Sequence, residues 1–319
     1  MKTIKTLAFK FHPTKDFFIL DQTLLPEKKV FITIKNTKQM VLAIKQLKVR
    51  GANLIGVTAG LSLAQYAFKN PKAKNLKALA KQLSLARPTA IHLSLIIKQI
   101  MKQKSPSAKL NQAIDFYKED KKACLEMAKK ASSLIKPRDR ILTYCNTGSL
   151  ATAGIGTALG VIKQAFHQDK KKIHVFVCET RPLNQGSRLT FWELQQEKIP
   201  SSLICDNMLA HLMSQKKINK VFVGADRISK NGDTANKIGT YNLALISRHF
   251  KIPFYVVAPS NTIDKQFKTG KTIPIEKRSE KEISPYWAKH KKNIINPGFD
   301  ITPRYLITKI ITENGFYKN

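Results

Sequence analysis

At 319 residues with 43% hydrophobic residues, the chain is long enough for two domains and a sizeable core, and 14 Gly and 14 Pro exclude a low-complexity or collagen-like protein. Lys and Arg number 56 against 21 Asp and Glu, a formal net charge of +35, but the lysines are scattered through every segment instead of forming one stripe. That pattern favours solubility and the steering of an anionic ligand over a nucleic-acid partner. No apolar run approaches the roughly 20 residues of a membrane span. Lys10, His12 and Lys15 interrupt the N-terminal segment before a signal-peptide core can form, so a cytoplasmic protein with no membrane role is expected.

Residues 1 to about 35 carry short alternating runs, Phe17–Leu20 and Val30–Ile34, separated by Leu25-Pro26, which predict a small antiparallel sheet. From Thr37 to about Ile135 the apolar spacing is helical. Within that stretch Val49-Arg50-Gly51-Ala52 and Ala86-Arg87-Pro88-Thr89 each place an Arg near an expected helix start, a residue suited to bidentate phosphate contact but more often a surface cation. Lys136–Asp139 reads as a hinge. Beyond it, five apolar runs stop at strand-length intervals: Ile141–Cys145, His174–Glu179, Ser202–Asp206, Lys220–Asp226 and Pro253–Ala258. Separated by helix-length segments, they predict parallel strands. The expected organisation is a smaller, mostly helical N-terminal domain with a short antiparallel sheet, residues 1–135, and an α/β domain built on a Rossmann-like parallel sheet, residues 136–319.

Ligands of open α/β sheets bind at the carboxyl ends of the strands, so Cys145 and Asp226 are expected at one crevice despite their separation in sequence. The segment Cys145–Gly160 predicts a strand, a small-residue turn and a helix start. Such a turn suits an anion, or a thiol shifted toward thiolate, or serves only packing. The other cysteines show no C-x-x-C spacing; Cys178 and Cys205 fall in apolar strands and are expected as core thiols, while Cys124 lies on a helix. Glu179 ends the second strand, where a dinucleotide-binding fold places its ribose-binding acid, but the glycine fingerprint is missing. Gln185-Gly186 lies in a polar loop suited to a hydroxylated ligand, or simply solvated. Asp206 is expected to cap the helix that follows it. Asp226 suits general acid–base work, with a structural cap an equal alternative. Asn236-Lys237 is expected at the next helix start, able to bind phosphate or sugar hydroxyls. The seven histidines form no metal-ligand spacing.

Taken together, Tyr144-Cys-Asn-Thr-Gly148, Glu179-Thr-Arg-Pro182, Gly224-Ala-Asp-Arg-Ile228, Asn231–Thr240 and Asn296–Pro303 resemble the methylthioribose-1-phosphate isomerases of methionine salvage, a family shared with the regulatory subunits of the exchange factor for translation initiation factor 2. The resemblance runs from Asp21 to Gly315. It implies an aldose–ketose isomerase acting on 5-methylthioribose 1-phosphate, with no metal or organic cofactor, working as a homodimer. It also implies that Cys145 and Asp226 are catalytic, and that Arg50, Gly51, Ala52, Arg87, Gln185, Asn236 and Lys237 contact the phosphorylated pentose. Two departures fall near those contacts: Asn53-Leu54 replaces the usual Pro-Ala, and His92 replaces the usual Asn. Alternatives within the same resemblance are an isomerase of ribose 1,5-bisphosphate or 5-deoxyribose 1-phosphate, or a non-catalytic regulatory protein.

Overall fold

The strands of the second half form where apolar runs are short and rich in Val, Ile and Phe, most of them closed by a polar residue or glycine and the run Pro253–Ala258 by a proline. The computed structural model describes residues 3–87, 91–290 and 293–317. Pro88-Thr89, after Arg87, lie outside the described residues. The chain divides into two compact units, Met1–Cys124 with Gly148–Gly156, and Leu125–Thr147 with Thr157–Asn319.

In the first unit, β1 (Ile4–Lys5), β2 (Phe9–Phe11), β3 (Phe17–Leu20) and β4 (Phe31–Thr33) form the expected antiparallel meander, in that order. Its inner face carries Phe9, Phe11 and Phe17, all fully buried, with Phe17 edge-on to the other two at 6.0 and 5.1 Å. The helices α1 (Thr37–Lys45), α2 (Ala52–Lys69), α3 (Leu76–Ser84), α4 (Ile91–Lys102) and α5 (Pro106–Ser132) follow, and the last turns of α5 run into the second unit. Helix α2 carries no charge before Lys69 and is buried along nearly its whole length, as expected of a helix that is apolar all round. At Gly56 and Gly60 a side chain would meet Ile96 and Ile100 of α4 at 2.8 and 2.9 Å, so the two helices approach closely there.

The second unit is built on β5 (Arg140–Thr143), β6 (His174–Cys178), β7 (Ser201–Ile204), β8 (Lys220–Val223), β9 (Arg227–Ser229), β10 (Thr234–Lys237), β11 (Phe254–Val257), β12 (Ile263–Asp264), β13 (Phe299–Thr302), β14 (Lys309–Thr312) and β15 (Gly315–Phe316). All five apolar runs become strands of one sheet, ordered β15-β14-β11-β8-β5-β6-β7, parallel except for the edge pair β14–β15. From β5 the chain steps outward to β6 and β7, then returns to the other side of β5 with β8. That reversal is the topological switch point, where ligands of such sheets bind. The short helices α6 (Ala158–Lys163), α7 (Trp192–Gln196), α8 (Leu209–Ser214) and α9 (Thr240–His249) lie between strands, and α10 (Pro285–Lys289) comes later.

A second sheet, ordered β12-β9-β10-β13, corrects the expected path after Asp226. Instead of entering a helix, the polar stretch folds into the β9–β10 hairpin, so Asn236 and Lys237 lie on a strand and the helix starts at Thr240. Asp233 is the reason. Its carboxylate accepts from Asn231 Nδ2 and from the N–H groups of Gly270 and Arg304, each at 2.9 Å, and Gly232 supplies the positive φ of 86°. Burial acts in the other direction, but these donors hold the Asp233 carboxyl below its usual range. A second correction concerns Cys145–Gly160. The helix start comes late: residues 144–157 are irregular and α6 begins only at Ala158, so no helix dipole acts directly on Cys145.

Replacing Phe17 by Ala should remove both ring contacts and leave a cavity, costing about 3–5 kcal/mol in urea denaturation. A loss below about 1 kcal/mol would mean that this sheet does not depend on its aromatic face.

Candidate active site

Cys145 stands two residues beyond β5 and Asp226 three residues beyond β8, the adjacent strands that flank the switch point. The parallel register pairs Thr143 with Phe222, which carries the two strand ends out side by side. Gly224, between β8 and Asp226, has no room for a side chain, because a Cβ there would lie 2.7 Å from Thr147 Cγ2.

The backbone at Cys145 is left-handed, with φ of 61°, and Cys145 is only 8% exposed. Thr180, two residues past β6, is left-handed as well at 64°, which is rarer for a β-branched residue. Each such conformation costs on the order of 1–3 kcal/mol and persists only where the surroundings impose it. Here the two residues hold each other, since the Cys145 N–H donates to Thr180 Oγ1 at 2.9 Å, while that hydroxyl donates to the Cys178 carbonyl at 3.1 Å. Thr180 is fixed in turn by Asp206, past β7, whose carboxylate accepts from the N–H groups of Thr180 and Arg181 at 2.9 and 2.7 Å. Asp206 therefore does not cap its own helix, as expected from sequence; α8 begins at Leu209 without a side-chain cap. Burial pushes the Asp206 carboxyl up, against the pull of those two donors.

On the other side, the Cys145 carbonyl accepts from Thr190 Oγ1 at 2.5 Å. The Asn146 amide donates to Thr190 Oγ1 at 3.2 Å and to Glu193 Oε1 at 2.9 Å. Glu193 is fully buried and paired with Lys163, 5% exposed, at 3.1 Å; Lys163 also meets Glu197 at 2.8 Å. Burial alone would lower the Lys163 pKa, but the two carboxylates raise it, so the lysine stays charged. Thr190 and Glu193 are brought here by a π-helical turn, Gly186–Phe191, leading into α7. Gly186 is obligatory at its start, because a Cβ would lie 1.6 Å from the Cys178 carbonyl oxygen. Gln185, beside it, is 6% exposed instead of lying in a solvated loop, and its Oε1 has no hydrogen-bond partner among the described residues.

Beyond β8, the Asp226 N–H donates to the Ala235 carbonyl of β10 at 2.9 Å, next to Asn236. Asn236 is 4% exposed and donates to Thr240 Oγ1 at 3.0 Å; Lys237 Nζ donates to the Gly298 carbonyl at 3.0 Å and lies over the Phe299 ring. Directly across from Asn236 on β13 is Asp300, whose carboxylate accepts from the N–H groups of Gly239 and Tyr241 at the start of α9, at 2.6 and 3.1 Å. Burial outweighs those donors and pushes the Asp300 pKa up to about 6. Beside it, the Tyr144 hydroxyl donates to the Ile238 carbonyl at 2.9 Å.

The remaining expected contacts lie in the first unit. Arg50 and Gly51 immediately precede α2, with Gly51 at its N-cap at φ of 88° and Ala52 its first residue; the N-terminus has no side-chain cap. A Cβ at Gly51 would meet the Ala151 carbonyl at 2.5 Å. Asn53, one of the departures, donates its amide to Asp120 at 2.8 Å. Asp120 also accepts from the Ala153 N–H at 2.6 Å, so the substituted residue has a structural partner of its own. Arg87 follows α3 and is half-buried, and His92 is buried on α4. Among the described residues, no group of three or more His, Cys, Asp or Glu side chains is disposed to hold a metal ion, and no helix is long and apolar enough to cross a membrane.

Residues 48–319 match the model of the initiation factor 2 subunit family. The chain belongs to that family. The methylthioribose-1-phosphate isomerase of Klebsiella pneumoniae (strain 342) is 42% identical over 99% of this chain and 95% of its own length. Two solved structures similar to this chain carry different descriptions. The 5-methylthioribose 1-phosphate isomerase from Pyrococcus horikoshii OT3 superposes with a TM-score of 0.86 at 36% identity, covering 99% of this chain and 94% of that one. A structure described as translation initiation factor eIF-2B, subunit delta, from A. fulgidus gives 0.82, also at 36% identity, covering 98% and 96%.

Sequence reasoning alone missed Thr180, Thr190, Glu193 and Lys163, which bear on the family's Cys-Asn-Thr-Gly segment through space, and it missed Asp300. Thr180 and Asp300 each sit inside a motif that carries the resemblance, so the signal was there without a role. Cys205, expected in the core, is exposed one residue past β7. Cys124 is buried on α5, where burial pushes its thiol far up and leaves it unreactive.

Because the Asp300 carboxyl is raised from 3.8 to about 6 in the folded protein, the folded state binds its proton more tightly than the unfolded chain. The stability this contributes is fully present below pH 3.8 and is lost as pH rises through about 6. The loss is on the order of 2–3 kcal/mol in all. Asp300→Asn keeps an acceptor at the start of α9 but does not titrate. The stability difference between wild type and this variant should therefore move against wild type between pH 4 and 7 in urea denaturation. A difference independent of pH would show that Asp300 is not raised.

Proposed function

We propose that this chain is an aldose–ketose isomerase converting 5-methylthioribose 1-phosphate to 5-methylthioribulose 1-phosphate in methionine salvage. The observation that carries the reading is the placement of a buried, conformationally constrained cysteine and an aspartate at the ends of the two strands flanking the switch point, in a chain 42% identical over its length to a methylthioribose-1-phosphate isomerase.

An aldose phosphorylated at C1 has no free anomeric hydroxyl and cannot open spontaneously. Asp226, as the carboxylic acid, donates a proton to the ring oxygen as its bond to C1 breaks. Hydrogen then moves from C2 to C1 while the C2 hydroxyl passes its proton to the Asp226 carboxylate left by the first step and becomes the ketone. Cys145 acts at C2, abstracting the C2 proton in an enediolate route or stabilising the polarity of a direct hydride shift. The two routes differ in whether solvent deuterium enters the product. Neither step calls for a metal or an organic cofactor.

Gln185, Asn236 and Lys237 are assigned to the pentose phosphate; the unpartnered Gln185 Oε1 suits a sugar hydroxyl. Arg50, Gly51, Ala52 and Arg87 are assigned as substrate contacts on the resemblance, and the two guanidiniums suit a phosphate. In this reading residues 1–135 form the smaller domain, residues 136–319 the Rossmann-like catalytic domain, and the protein is a cytoplasmic homodimer that does not act on nucleic acid.

A second reading, a regulatory subunit without activity, is favoured by the equal 36% identity to the structure described as an eIF-2B subunit. Turnover separates the two. Cys145→Ala and Asp226→Asn should each lower kcat by about 1,000-fold or more with the circular dichroism spectrum and Tm preserved, since each removes a group acting in the transition state. Either variant turning over near the wild-type rate would remove that residue from the chemistry. NMR progress curves should show 5-methylthioribose 1-phosphate consumed in preference to ribose 1,5-bisphosphate. Preference for the bisphosphate would reassign the substrate, and no turnover of either would favour the regulatory reading.

A further inference from the structure

We infer that Thr180 and Thr190 are positioning residues that lock Cys145 in its reactive pose, anchored by Asp206 on one side and by the buried Glu193–Lys163 pair on the other. The inference rests on the isomerase reading only for its kinetic arm.

A threonine hydroxyl has a single proton, and each of these two uses it in a defined direction. Thr180 Oγ1 donates to the Cys178 carbonyl and is left as an acceptor for the Cys145 N–H. Thr190 Oγ1 donates to the Cys145 carbonyl and is left as an acceptor for the Asn146 amide. The two peptide groups flanking the Cys145 Cα are thus held from opposite sides, one through the N–H and one through the carbonyl. A left-handed cysteine cannot relax to an ordinary φ without breaking one of these bonds.

Each hydroxyl is itself immobile. Thr180 and Thr190 are both fully buried, the first tied to Asp206 through its own N–H and the second reached through Asn146 by Glu193. Glu193 is completely buried, and its other oxygen is neutralised by Lys163. A buried ion pair contributes little to stability beyond what an apolar pair of the same volume would, so its use here is to fix the orientation of the Asn146 amide. Asp206, Thr180 and Cys145 follow β7, β6 and β5 in spatial order, and the chain of hydrogen bonds runs laterally across three neighbouring strand ends. The methyl groups of both threonines fill space that serine would leave open, whereas valine would keep the volume and lose the hydroxyl. Hydroxyl and volume can therefore be tested separately.

Thr180→Val and Thr190→Val should each lower kcat on the order of 100-fold, the cost of misplacing a reacting group by about 1 Å, with KM unchanged. Thr180→Ser and Thr190→Ser should recover most of that loss. In the valine variants iodoacetamide should label Cys145 faster than in wild type, while the buried Cys124 and Cys178 remain as slow as before, read by peptide mass spectrometry. Unchanged kcat in both folded valine variants, or labelling that rises equally at all three cysteines, would overturn the inference in favour of a merely structural role. If the valine variants do not fold, hydrogen exchange on the wild-type protein decides. The Cys145 amide should exchange as slowly as the amides of β5, and exchange within seconds would show that the clamp does not exist. Labelling and exchange need no substrate, so absence of turnover would count against the isomerase reading alone.

Discussion

The left-handed turn at Cys145 is the constraint around which the second unit is arranged. It needs a donor and an acceptor at fixed positions, and those come from Thr180 and Thr190. Thr180 needs a left-handed turn of its own, which Asp206 secures from the next strand. Thr190 needs the chain to leave β6 and double back under the turn at once. Gly186 permits that by packing its bare Cα against the Cys178 carbonyl. A buried glutamate and a buried lysine, unusual in any interior, then find their place as the floor of the arrangement.

Sheet order explains why the constraint sits where it does. In a parallel sheet the central strand that starts both halves has helices leaving in opposite directions on either side, so a crevice opens at its carboxyl end. Here that strand is β5, and the neighbour across the crevice is β8. The four-stranded sheet continues directly from β8, placing Asp226, Asn236 and Asp300 on or beside consecutive strands rather than on a flexible loop. Side chains held on strands are better fixed than side chains held on loops.

Much of this was legible in the sequence because it rests on local pattern. The five strands announce themselves by composition and spacing, and the ends that carry Cys145 and Asp226 follow from them. The N-terminal sheet is legible for the same reason. What was not legible depends on partners distant in sequence. Asn236 and Lys237 looked like a helix start because Asp233, which turns the hairpin, is satisfied by Gly270 and Arg304, 37 and 71 residues away. Asp206 looked like a cap because its position before α8 is ordinary, whereas its partners are backbone groups 26 and 25 residues upstream. The long irregular path from Tyr144 to Thr157 was hidden by small residues that read equally well as a turn and a helix.

The way the carboxylates are spent has a consequence for how this sequence can drift. Only 21 acidic residues face 56 basic ones, and Asp120, Asp206, Asp233, Asp300 and Glu313 hold backbone N–H groups, while Asp139 and Glu193 hold buried or half-buried lysines. Lysine has no acceptor atom and can take over none of these duties. Exposed positions can therefore be lysine with little structural effect, whereas these seven acids have work that lysine cannot do. The extreme basicity marks how far the surface can be rewritten while the internal wiring stays fixed, and in such a chain the rare acid is the better guide to architecture.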